Sequence, residues 1–461
     1  MSGAKRFTAT TDRGFGARLT RTPGQSGPAF CTRGAMMQIT VLGAGVAGLA
    51  VATALAKAGH RVQVLEQAGA IREVGAGLQI SPNGAVVLKA LGVAVRATRA
   101  QAVTLRNGAD GRRVLRLDLA RLRPDQEYLF AHRADLIEAL QLAAVAAGVQ
   151  IGLGRKVLAV DLSGDRPRLT TDQAEMVPDL LIGADGLHSL TRAALNGPET
   201  PFFTGQIAWR ALIPCEQGAP EEAEVFMGPG RHLVSYPLRG GTLRNIVAVE
   251  ERAKWTQESW SLRDDPTELR RAFEAFDPKV RHWLNQVDDV GLWGLFRHRV
   301  AETWGRALPM GGAVILGDAV HPTLPFLAQG ASMALEDAFV LARALTGVQV
   351  PGPSRDLRDT GFPDPSPNLR ANLVPGLPAD LARNLTANLV PDLASALAAY
   401  QSLRQSRVTR IVQAANANAR AYHLREPLRA FAHLGLRVSG RLAPGFALSR
   451  FDWLYGHDVT A

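Results

Sequence analysis

A glycine-rich hexapeptide, Gly43-Ala44-Gly45-Val46-Ala47-Gly48, follows a short apolar run and leads into a helix-forming segment. In a strand–turn–helix unit the first glycine permits the tight turn, the second lets a pyrophosphate approach the backbone, and the third lets the helix pack on the sheet. The helix N-terminus offers free N–H groups to the phosphates. Glu66 ends the next apolar run, where a carboxylate can accept both hydroxyls of an adenosine ribose. This pattern predicts dinucleotide binding; a solvated strand end is the alternative for Glu66.

Two later segments also place an acidic residue and a glycine after an apolar run. The first spans residues 179–192 and contains Asp185-Gly186; the second spans 317–330, begins with Gly317-Asp318 and ends with Gln329-Gly330. Asp318 is expected at the carboxyl edge of a strand, where it can accept hydrogen bonds from a sugar-like chain. Gln329-Gly330-Ala331 opens a helix whose N–H groups can stabilise negative charge on a bound ring. The alternatives are a helix cap for Asp318 and a turn residue for Asp185.

A histidine and a tyrosine form the candidate catalytic pair. His232 and Tyr236 lie four residues apart on a predicted strand, so their side chains point to the same face. A phenol with a pKa near 10 is mostly protonated at neutral pH, and a neutral His with a pKa near 6.5 is a suitable base or proton relay for it. A histidine satisfied at a sheet surface is the alternative. Arg210 and Arg231 are candidates to pair with a carboxylate.

Together these motifs resemble those of the single-component (class A) FAD-dependent aromatic hydroxylases, in their salicylate and 3-hydroxybenzoate hydroxylase branch. Segment 179–192 is similar to the "DG" fingerprint of that family, and segment 317–330 to its "GD" fingerprint. The resemblance extends from Met37 to about Leu345 and resumes at Tyr400. It also includes five shorter segments: His132-Arg133-Ala134-Asp135-Leu136, 75–83, Ala208-Trp209-Arg210, 228–237 and Phe451-Asp452-Trp453-Leu454-Tyr455.

The resemblance implies FAD as the cofactor and no metal. It assigns FAD binding to ten residues: Gly43, Gly45, Gly48, Glu66, Arg133, Asp185, Asp318, Gln329, Gly330 and Ala331. Arg133 would lie near the phosphates or the ribityl chain, with a surface charge as the alternative. Because the chain has no second GxGxxG unit, NADH or NADPH is expected to visit transiently as co-substrate.

The implied reaction is hydroxylation of a phenolic or aromatic-acid substrate by NAD(P)H and O2 through a flavin hydroperoxide. In this family His232 and Tyr236 would activate or orient the substrate, and Arg210 and Pro325 would lie beside it. Pro325 stands where the 3-hydroxybenzoate enzymes carry Gln, which leaves the substrate open. Two other functions stay open: a reductase or dehydrogenase on the same fold, acting on a polyene or prenyl substrate, and a non-catalytic flavin-binding redox sensor.

The elements that must position these residues predict an α/β fold. Its expected parts are a Rossmann-type FAD-binding domain of the p-hydroxybenzoate hydroxylase-like type (GR2), an inserted antiparallel β-sheet substrate domain and C-terminal helices. The predicted boundaries are a disordered or misassigned extension at 1–36, the first part of the FAD-binding domain at 37–202, the substrate domain at 203–300, the second part of the FAD-binding domain at 301–346, a Pro-rich inserted loop with a 16-residue repeat at 347–393, and a helical segment at 394–461.

Composition is that of an ordinary soluble globular protein. The 461 residues are 46% hydrophobic and 20% charged, with two cysteines, Cys31 and Cys215, too few for a disulfide framework or a thiolate metal site. The net charge of +10 is dispersed or lies in the first 36 residues, so nucleic acid is not expected as a partner. No transmembrane span or secretory signal is predicted. We expect a cytoplasmic monomer or homodimer.

Overall fold

The computed structural model describes residues 36–71, 77–254, 262–346, 348 and 392–461. The strands of these residues are β1 (Gln38–Leu42), β2 (Arg61–Leu65), β3 (Gly77–Ile80), β4 (Ala97–Arg99), β5 (Ala102–Asn107), β6 (Arg113–Asp118), β7 (Leu129–His132), β8 (Gln150–Gly152), β9 (Val157–Asp161), β10 (Arg168–Thr171), β11 (Glu175–Met176), β12 (Leu180–Gly183), β13 (Phe202–Pro214), β14 (Glu222–Gly228), β15 (Arg231–Leu238), β16 (Leu243–Glu251), β17 (Arg263–Asp264), β18 (Val290–Arg297), β19 (Gly305–Leu308) and β20 (Gly311–Ile315). The α-helices are α1 (Val46–Lys57), α2 (Pro82–Leu91), α3 (Leu119–Leu122), α4 (Arg133–Ala146), α5 (Leu190–Asn196), α6 (Pro266–Ala272), α7 (Pro278–Asn285), α8 (Gly330–Leu345), α9 (Leu393–Tyr422), α10 (Leu428–Leu442), α11 (Pro444–Ser449) and α12 (Asp452–Tyr455).

A six-stranded sheet forms the first half of the molecule, in the order β19-β20-β12-β1-β2-β8. Its pairs are parallel except for β19–β20, which closes one edge as a hairpin. The central strands are buried along their length, apart from Gln38 at the start of β1, because helices cover both faces of a parallel sheet. The carboxyl ends of β1, β12 and β20 therefore meet at one edge of this sheet, followed by Gly43, Ala184 and Gly317.

The first glycine motif joins β1 to α1 through a turn that only glycine fits. Gly43 has φ +97°, in the left-handed region that a side chain disfavours. A Cβ on Gly48 would lie 1.9 Å from the carbonyl oxygen of Gly43, so the helix can pack this close to the turn only without a side chain. The small residues Ala50, Ala52 and Ala54 are fully buried, which lets α1 pack between the sheet and helices α4 and α8.

An eight-stranded sheet forms the second half, in the order β17-β18-β13-β16-β15-β14-β5-β6. Its neighbours are antiparallel except for β5 and β14, which run parallel. The sequence predicts an antiparallel sheet here. The parallel pair arises because β5 and β6 come from the segment before α4 rather than from a hairpin with β14. Helices α6 and α7 cover one face, over a core that includes Trp209, Phe226 and Trp283.

The helices of the C-terminal segment pack on both halves of the molecule. Helix α9 packs against α8 and the β19 hairpin, and α10 and α11 cover β6. The predicted extension at 1–36 and insertion at 347–393 lie outside the described residues, apart from residues 36, 348, 392 and 393. None of the helices described here is long and apolar enough to cross a membrane.

Candidate active site

Two cavities meet at the carboxyl edge of the six-stranded sheet. The smaller, of about 350 Å³, lies beside the end of β2 and is lined by Gly43, Glu66 and Asp185. The larger, of about 370 Å³, lies between this edge and the eight-stranded sheet. The two share Gly45, Ala184 and Gly186, so they form one extended cleft. The larger cavity collects nine of the predicted site residues: Gly45, Arg133, Arg210, His232, Tyr236, Asp318, Pro325, Gly330 and Ala331.

Glu66 sits at the end of β2 and faces the smaller cavity, with its carboxylate tied to the first glycine turn. Oε2 accepts a hydrogen bond from the backbone N–H of Ala44 at 2.8 Å, and Oε1 accepts one from that of Ala68 at 2.9 Å. These bonds hold the carboxylate beside the turn. A Cβ built on Gly45 meets no atom within 4 Å, so the second glycine borders open space at the junction of the cavities. Gly48 packs behind the turn and lines neither cavity.

Asp185 lies on the other wall of the smaller cavity, but its carboxylate points to the start of α5. It accepts hydrogen bonds from the Ser189 hydroxyl at 2.5 Å and from the Leu190 backbone N–H at 2.9 Å. Burial raises the pKa of Asp185, and these hydrogen bonds oppose the rise. The side chain thus fixes the turn from β12 into α5, which brings the backbone of Ala184 and Gly186 to the junction of the cavities.

Asp318 and Arg133 both line the larger cavity on the side of the six-stranded sheet. The Asp318 side chain is exposed toward the cavity space. Desolvation by the surrounding protein raises its pKa, while the charges of His321 and Arg133 oppose the rise. Arg133 is the first residue of α4, directly after β7. The pair therefore offers an acceptor and a cation to a ligand that enters from the glycine turn.

Helix α8 begins at Gly330, and its first turn borders the same cavity. Its N-cap residue, Gln329, makes no side-chain capping hydrogen bond. Gly330 and Ala331 line the cavity and present the start of the helix to it. The Gln329 side chain instead points inward, where its amide donates to the Ser81 hydroxyl at 2.9 Å and accepts from Asn83 at 3.2 Å. Only the backbone of Gln329 can therefore contribute to a ligand site here.

A buried ionic network lies beneath the start of α8. Arg404 from α9 donates to Oδ1 of Asp337 at 2.8 Å and to Glu336, and Arg407 donates to Glu336 at 2.7 and 2.9 Å. Asp337 in turn accepts from His321 and from the backbone N–H of Gly317 at 3.1 Å. Burial favours the neutral acid, but the charges of His321 and Arg404 outweigh it and lower the pKa of Asp337 to about 2.

The network therefore connects α9 to the segment that carries Asp318. Glu336 and Asp337 follow the second motif along the chain, and the sequence gives no sign of their partners, because Arg404 lies 67 residues beyond Asp337. His321 serves this network, and its Nε2 faces Asp337 rather than the larger cavity.

The eight-stranded sheet supplies the opposite wall of the larger cavity. Tyr236 on β15 is buried and stacks on Phe130 with ring centroids 4.9 Å apart. Burial raises the pKa of Tyr236 far above its usual range, and Arg210 and Asn245 offset part of the rise. The hydroxyl therefore stays protonated at neutral pH. Arg210 on β13 places its guanidinium over the Trp293 ring, 4.5 Å from the centroid.

Apolar side chains fill the space between these polar groups. Those that line the larger cavity include Val234, Val247, Val249, Trp293, Leu295 and Phe296 from the sheet, and Leu324 and Pro325 from the segment before α8. Arg231, the other candidate for a carboxylate, does not line the cavity; it pairs with Glu250 at 3.1 Å. Arg210 is thus the candidate that the fold places at the cavity.

His232 lies on β15 beside the same cavity, with its ring buried. Its Nδ1 is 2.7 Å from Nε2 of His423, which follows α9. Burial lowers the pKa of His232 well below its usual range, and the charge of His423 lowers it further. His232 is therefore neutral at neutral pH and can accept a proton. No local sequence signal indicates His423, which lies 191 residues from His232.

The extended cleft fits a flavin dinucleotide. The smaller cavity has a carboxylate for a ribose and a side-chain-free turn for the pyrophosphate. The larger cavity has the acceptor Asp318, the cation Arg133 and the start of α8, beside an apolar wall long enough for a planar ring. The residues His232, Tyr236 and Arg210 line the wall of the same cavity that the eight-stranded sheet forms.

The profile of the FAD binding domain family matches residues 36–359. The 3-amino-4-hydroxybenzoate 2-monooxygenase of Streptomyces cremeus is 36% identical over 321 residues, which are 67% of this chain and 78% of that protein. The 3-hydroxybenzoate 6-hydroxylase of Klebsiella oxytoca is 31% identical over 67% of this chain and 80% of its own. The fold is similar to that of a salicylate hydroxylase substrate complex, with a TM-score of 0.67, 20% identity and coverage of 92% of this chain and 96% of the other.

Proposed function

Since the chain belongs to the family of single-component FAD-dependent aromatic monooxygenases, we propose that it hydroxylates a phenolic benzoate bound between His232, Tyr236 and Arg210. The family, the fold class and the FAD cofactor predicted from the sequence are confirmed. NAD(P)H and O2 are the co-substrates of this family. The roles of individual residues are part of the proposal.

FAD, when bound, supplies the activation of O2 and the transfer of one oxygen atom to the ring of the substrate. Glu66 would hold its ribose, Gly43 and Gly45 would accommodate its pyrophosphate, and Asp318 and Arg133 would face its ribityl chain. The first turn of α8 would offer N–H groups and the positive end of its dipole to the pyrimidine edge.

His232 supplies the base. A phenolate ring carries far more electron density than the phenol, so removal of the phenolic proton activates the ring toward an electrophilic oxygen. The pKa of His232 is well below its usual range because of burial. The ring is therefore unprotonated at neutral pH and ready to accept that proton.

Tyr236 and Arg210 orient the substrate. The Tyr236 hydroxyl stays protonated, because burial raises its pKa, and so acts as a hydrogen-bond donor to the substrate oxygen. Arg210 is the cation on the same wall and can pair with a ring carboxylate in the bidentate geometry that a guanidinium favours. The apolar residues around them exclude water from the reacting carbon.

One observation carries the proposal: the wall of the larger cavity that the eight-stranded sheet forms joins a neutral base, a neutral hydroxyl and a cation. Those three groups match a ring that bears a hydroxyl and a carboxylate. The names of the two relatives describe substrates of this chemistry, 3-amino-4-hydroxybenzoate and 3-hydroxybenzoate. This agreement supports a substrate of that class.

The test is NAD(P)H oxidation by the purified, FAD-loaded protein against a matched panel of ring compounds. The panel contains 3-amino-4-hydroxybenzoate, 3-hydroxybenzoate and salicylate, and for each the analogue without the carboxylate and the analogue without the hydroxyl. We expect stimulation only by compounds with both groups, together with a hydroxylated product. Equal stimulation by the analogue without the carboxylate would contradict the role of Arg210, and stimulation by the analogue without the hydroxyl would contradict that of His232.

A further inference from the structure

A line of titratable side chains runs from the larger cavity to the surface. His232 borders the cavity, and its Nδ1 lies 2.7 Å from Nε2 of His423. The other nitrogen of that ring, Nδ1 of His423, lies 3.0 Å from Oε1 of Glu251 at the end of β16. The Glu251 side chain is 41% exposed, whereas that of His423 is 1% exposed. The line therefore begins at the substrate cavity and ends in solvent.

The surface end of this line determines where the ring protons lie. An ionised carboxylate only accepts hydrogen bonds, so His423 donates from Nδ1 to Glu251 and carries its lone pair on Nε2. His232 then donates from Nδ1 to that lone pair. This leaves the lone pair of His232 on Nε2, the nitrogen on the opposite side of its ring.

We propose that His232, His423 and Glu251 form a proton relay that carries the phenolic proton of the substrate from the cavity to solvent. The inference rests on the proposed function, because it requires a phenol in the cavity. The O–H bond of the phenol breaks as Nε2 of His232 takes the proton. His232 gives its Nδ1 proton to Nε2 of His423, which gives its own Nδ1 proton to Glu251 and thus to water.

The transfer is balanced at every ring. Each histidine gains one proton and loses one, so neither ring keeps a net charge inside the protein. No oxidant or reductant is involved, and the same bonds broken in reverse order return a proton to the product phenolate. After the transfer of one proton, His232 and His423 each carry their ring proton on Nε2 instead of Nδ1. The return of a proton in the opposite direction restores the original tautomers.

Aromatic rings enclose the inner part of the relay. The ring of His232 lies 5.3 Å from that of Phe326 and 5.2 Å from that of Tyr422, measured between centroids. The His423 ring packs 6.3 Å from Phe326. These walls separate the two imidazoles from bulk water, so a proton leaving His232 has His423 as its hydrogen-bonded neighbour.

Burial is the main reason why both histidines stay in the neutral state that the relay needs. Burial lowers the pKa of His423, Arg231 lowers it further, and Glu251 opposes the fall. Arg231 itself pairs with Glu250, and Arg425 lies 3.6 Å from Oε2 of Glu251, so Glu251 also faces a cation at the surface.

The turn between β14 and β15 holds the two outer members in register. The backbone N–H of Gly230 donates to the carbonyl of His423 at 3.2 Å, and the Gly230 carbonyl accepts from the N–H of Glu251 at 2.9 Å. Gly230 has φ +67°, and a Cβ there would lie 3.4 Å from Oε2 of Glu251. The turn thus leaves room for the Glu251 carboxylate beside His423. The backbone of this turn therefore positions His423, which is distant in sequence, beside Glu251.

The experiment measures proton release on binding, before any turnover. FAD-loaded protein is mixed by stopped flow with 3-amino-4-hydroxybenzoate in weak buffer containing a pH indicator, without NAD(P)H. Ligand binding is followed by the flavin spectrum and phenolate formation by near-ultraviolet absorbance. In the wild type we expect phenolate formation and proton release at one rate. In His423→Phe we expect phenolate formation and proton release to slow by about tenfold or more. The affinity for the ring analogue without the carboxylate should be unchanged.

Three further variants keep the test independent of folding. Glu251→Gln changes a half-exposed group, and we expect slower release of the indicator proton with normal binding. His423→Ala with added imidazole should regain the rate with saturation, which a loss of packing alone does not predict. His433→Gln removes another buried histidine of the same segment, outside the relay, and should release protons like the wild type.

The outcomes separate this inference from the proposed function. Equal proton-release rates in the wild type, His423→Phe and Glu251→Gln would overturn the relay, even if the protein hydroxylates its substrate. A wild type that releases no proton on binding the phenolic probe would overturn it as well. A protein that releases the proton through His423 but never takes up O2 would instead contradict the hydroxylase function.

Discussion

The buried network beneath α8 gives a prediction that ties stability to the cofactor site. The side chains of Arg404, Glu336 and Asp337 are at most 1% exposed. Arg404→Met keeps an apolar side chain of similar length but removes the positive charge that pairs with Glu336 and Asp337. Removing one partner of a buried ion pair costs about 3–5 kcal/mol. We expect the lower end, about 3 kcal/mol, because Arg407 still donates twice to Glu336.

The pKa of Asp337 gives a second route to this magnitude. The surrounding charges lower it from 3.8 to about 2, and that difference corresponds to about 2 kcal/mol of stability. A carboxyl with a depressed pKa contributes stability above its unfolded value, and the contribution is lost as the pH falls from about 4 toward 2. In Arg404→Met the pKa of Asp337 should be lowered less, because the charge of Arg404 is gone. The difference between wild type and variant should therefore be largest at neutral pH and shrink below about pH 4.

The assay is urea unfolding of the FAD-saturated proteins, followed by far-ultraviolet circular dichroism. Arg410→Met is the matched control, because Arg410 lies on the same helix but is exposed and stacks on Trp453. We expect this control to lose about 0.5–1 kcal/mol. Equal losses in the two variants at neutral pH, or a loss in Arg404→Met that does not change with pH, would refute the reasoning.

The remaining predictions concern the cleft. Asp318→Ala should weaken FAD binding by about tenfold or more at equal folded yield, because an acceptor for the ribityl chain is lost; flavin fluorescence titration measures this, and full affinity would remove Asp318 from the site. Glu66→Gln should weaken FAD binding less than Asp318→Ala does, since the amide keeps one acceptor for the N–H of Ala44. The same titration compares the two variants. Arg210→Met should raise KM for a ring carboxylate by roughly 10–100-fold and leave FAD affinity unchanged; steady-state kinetics and the flavin titration test both halves. Because burial holds the pKa of His232 well below its usual range, hydroxylation should stay level as the pH falls from 8 to about 6, and a half-maximal rate near 6.5 would contradict it.

Sequence patterns predicted the elements that carry strong periodicity or glycine signals. Strand β1 (Gln38–Leu42) is the apolar run before the first glycine motif, and helix α8 (Gly330–Leu345) begins at Gly330, where the sequence predicts a helix to open. The parallel pairing of β5 with β14 could not be predicted, because no local sequence pattern specifies which strand pairs with which.

The residues of the candidate site also divide into those that the sequence could predict and those that it could not. Residues inside the motifs, such as Glu66 and Asp318, could be assigned to the cleft because strand ends and helix starts meet at one edge of a parallel sheet. His423, Glu251 and Arg404 could not, because their roles arise from contacts between segments far apart along the chain. Arg404 and His423 also follow the Pro-rich segment at 347–393, across which motif spacing carries no information.

The central claim is that this chain inserts one atom of O2 into a phenolic ring. The direct measurement is turnover with NAD(P)H and the best-stimulating hydroxybenzoate under ¹⁸O₂, with the product analysed by mass spectrometry and a parallel reaction in H₂¹⁸O. We expect one ¹⁸O atom in the new hydroxyl from labelled oxygen and none from labelled water. Substrate-stimulated NAD(P)H oxidation that yields only hydrogen peroxide, or a product labelled from water, would contradict it.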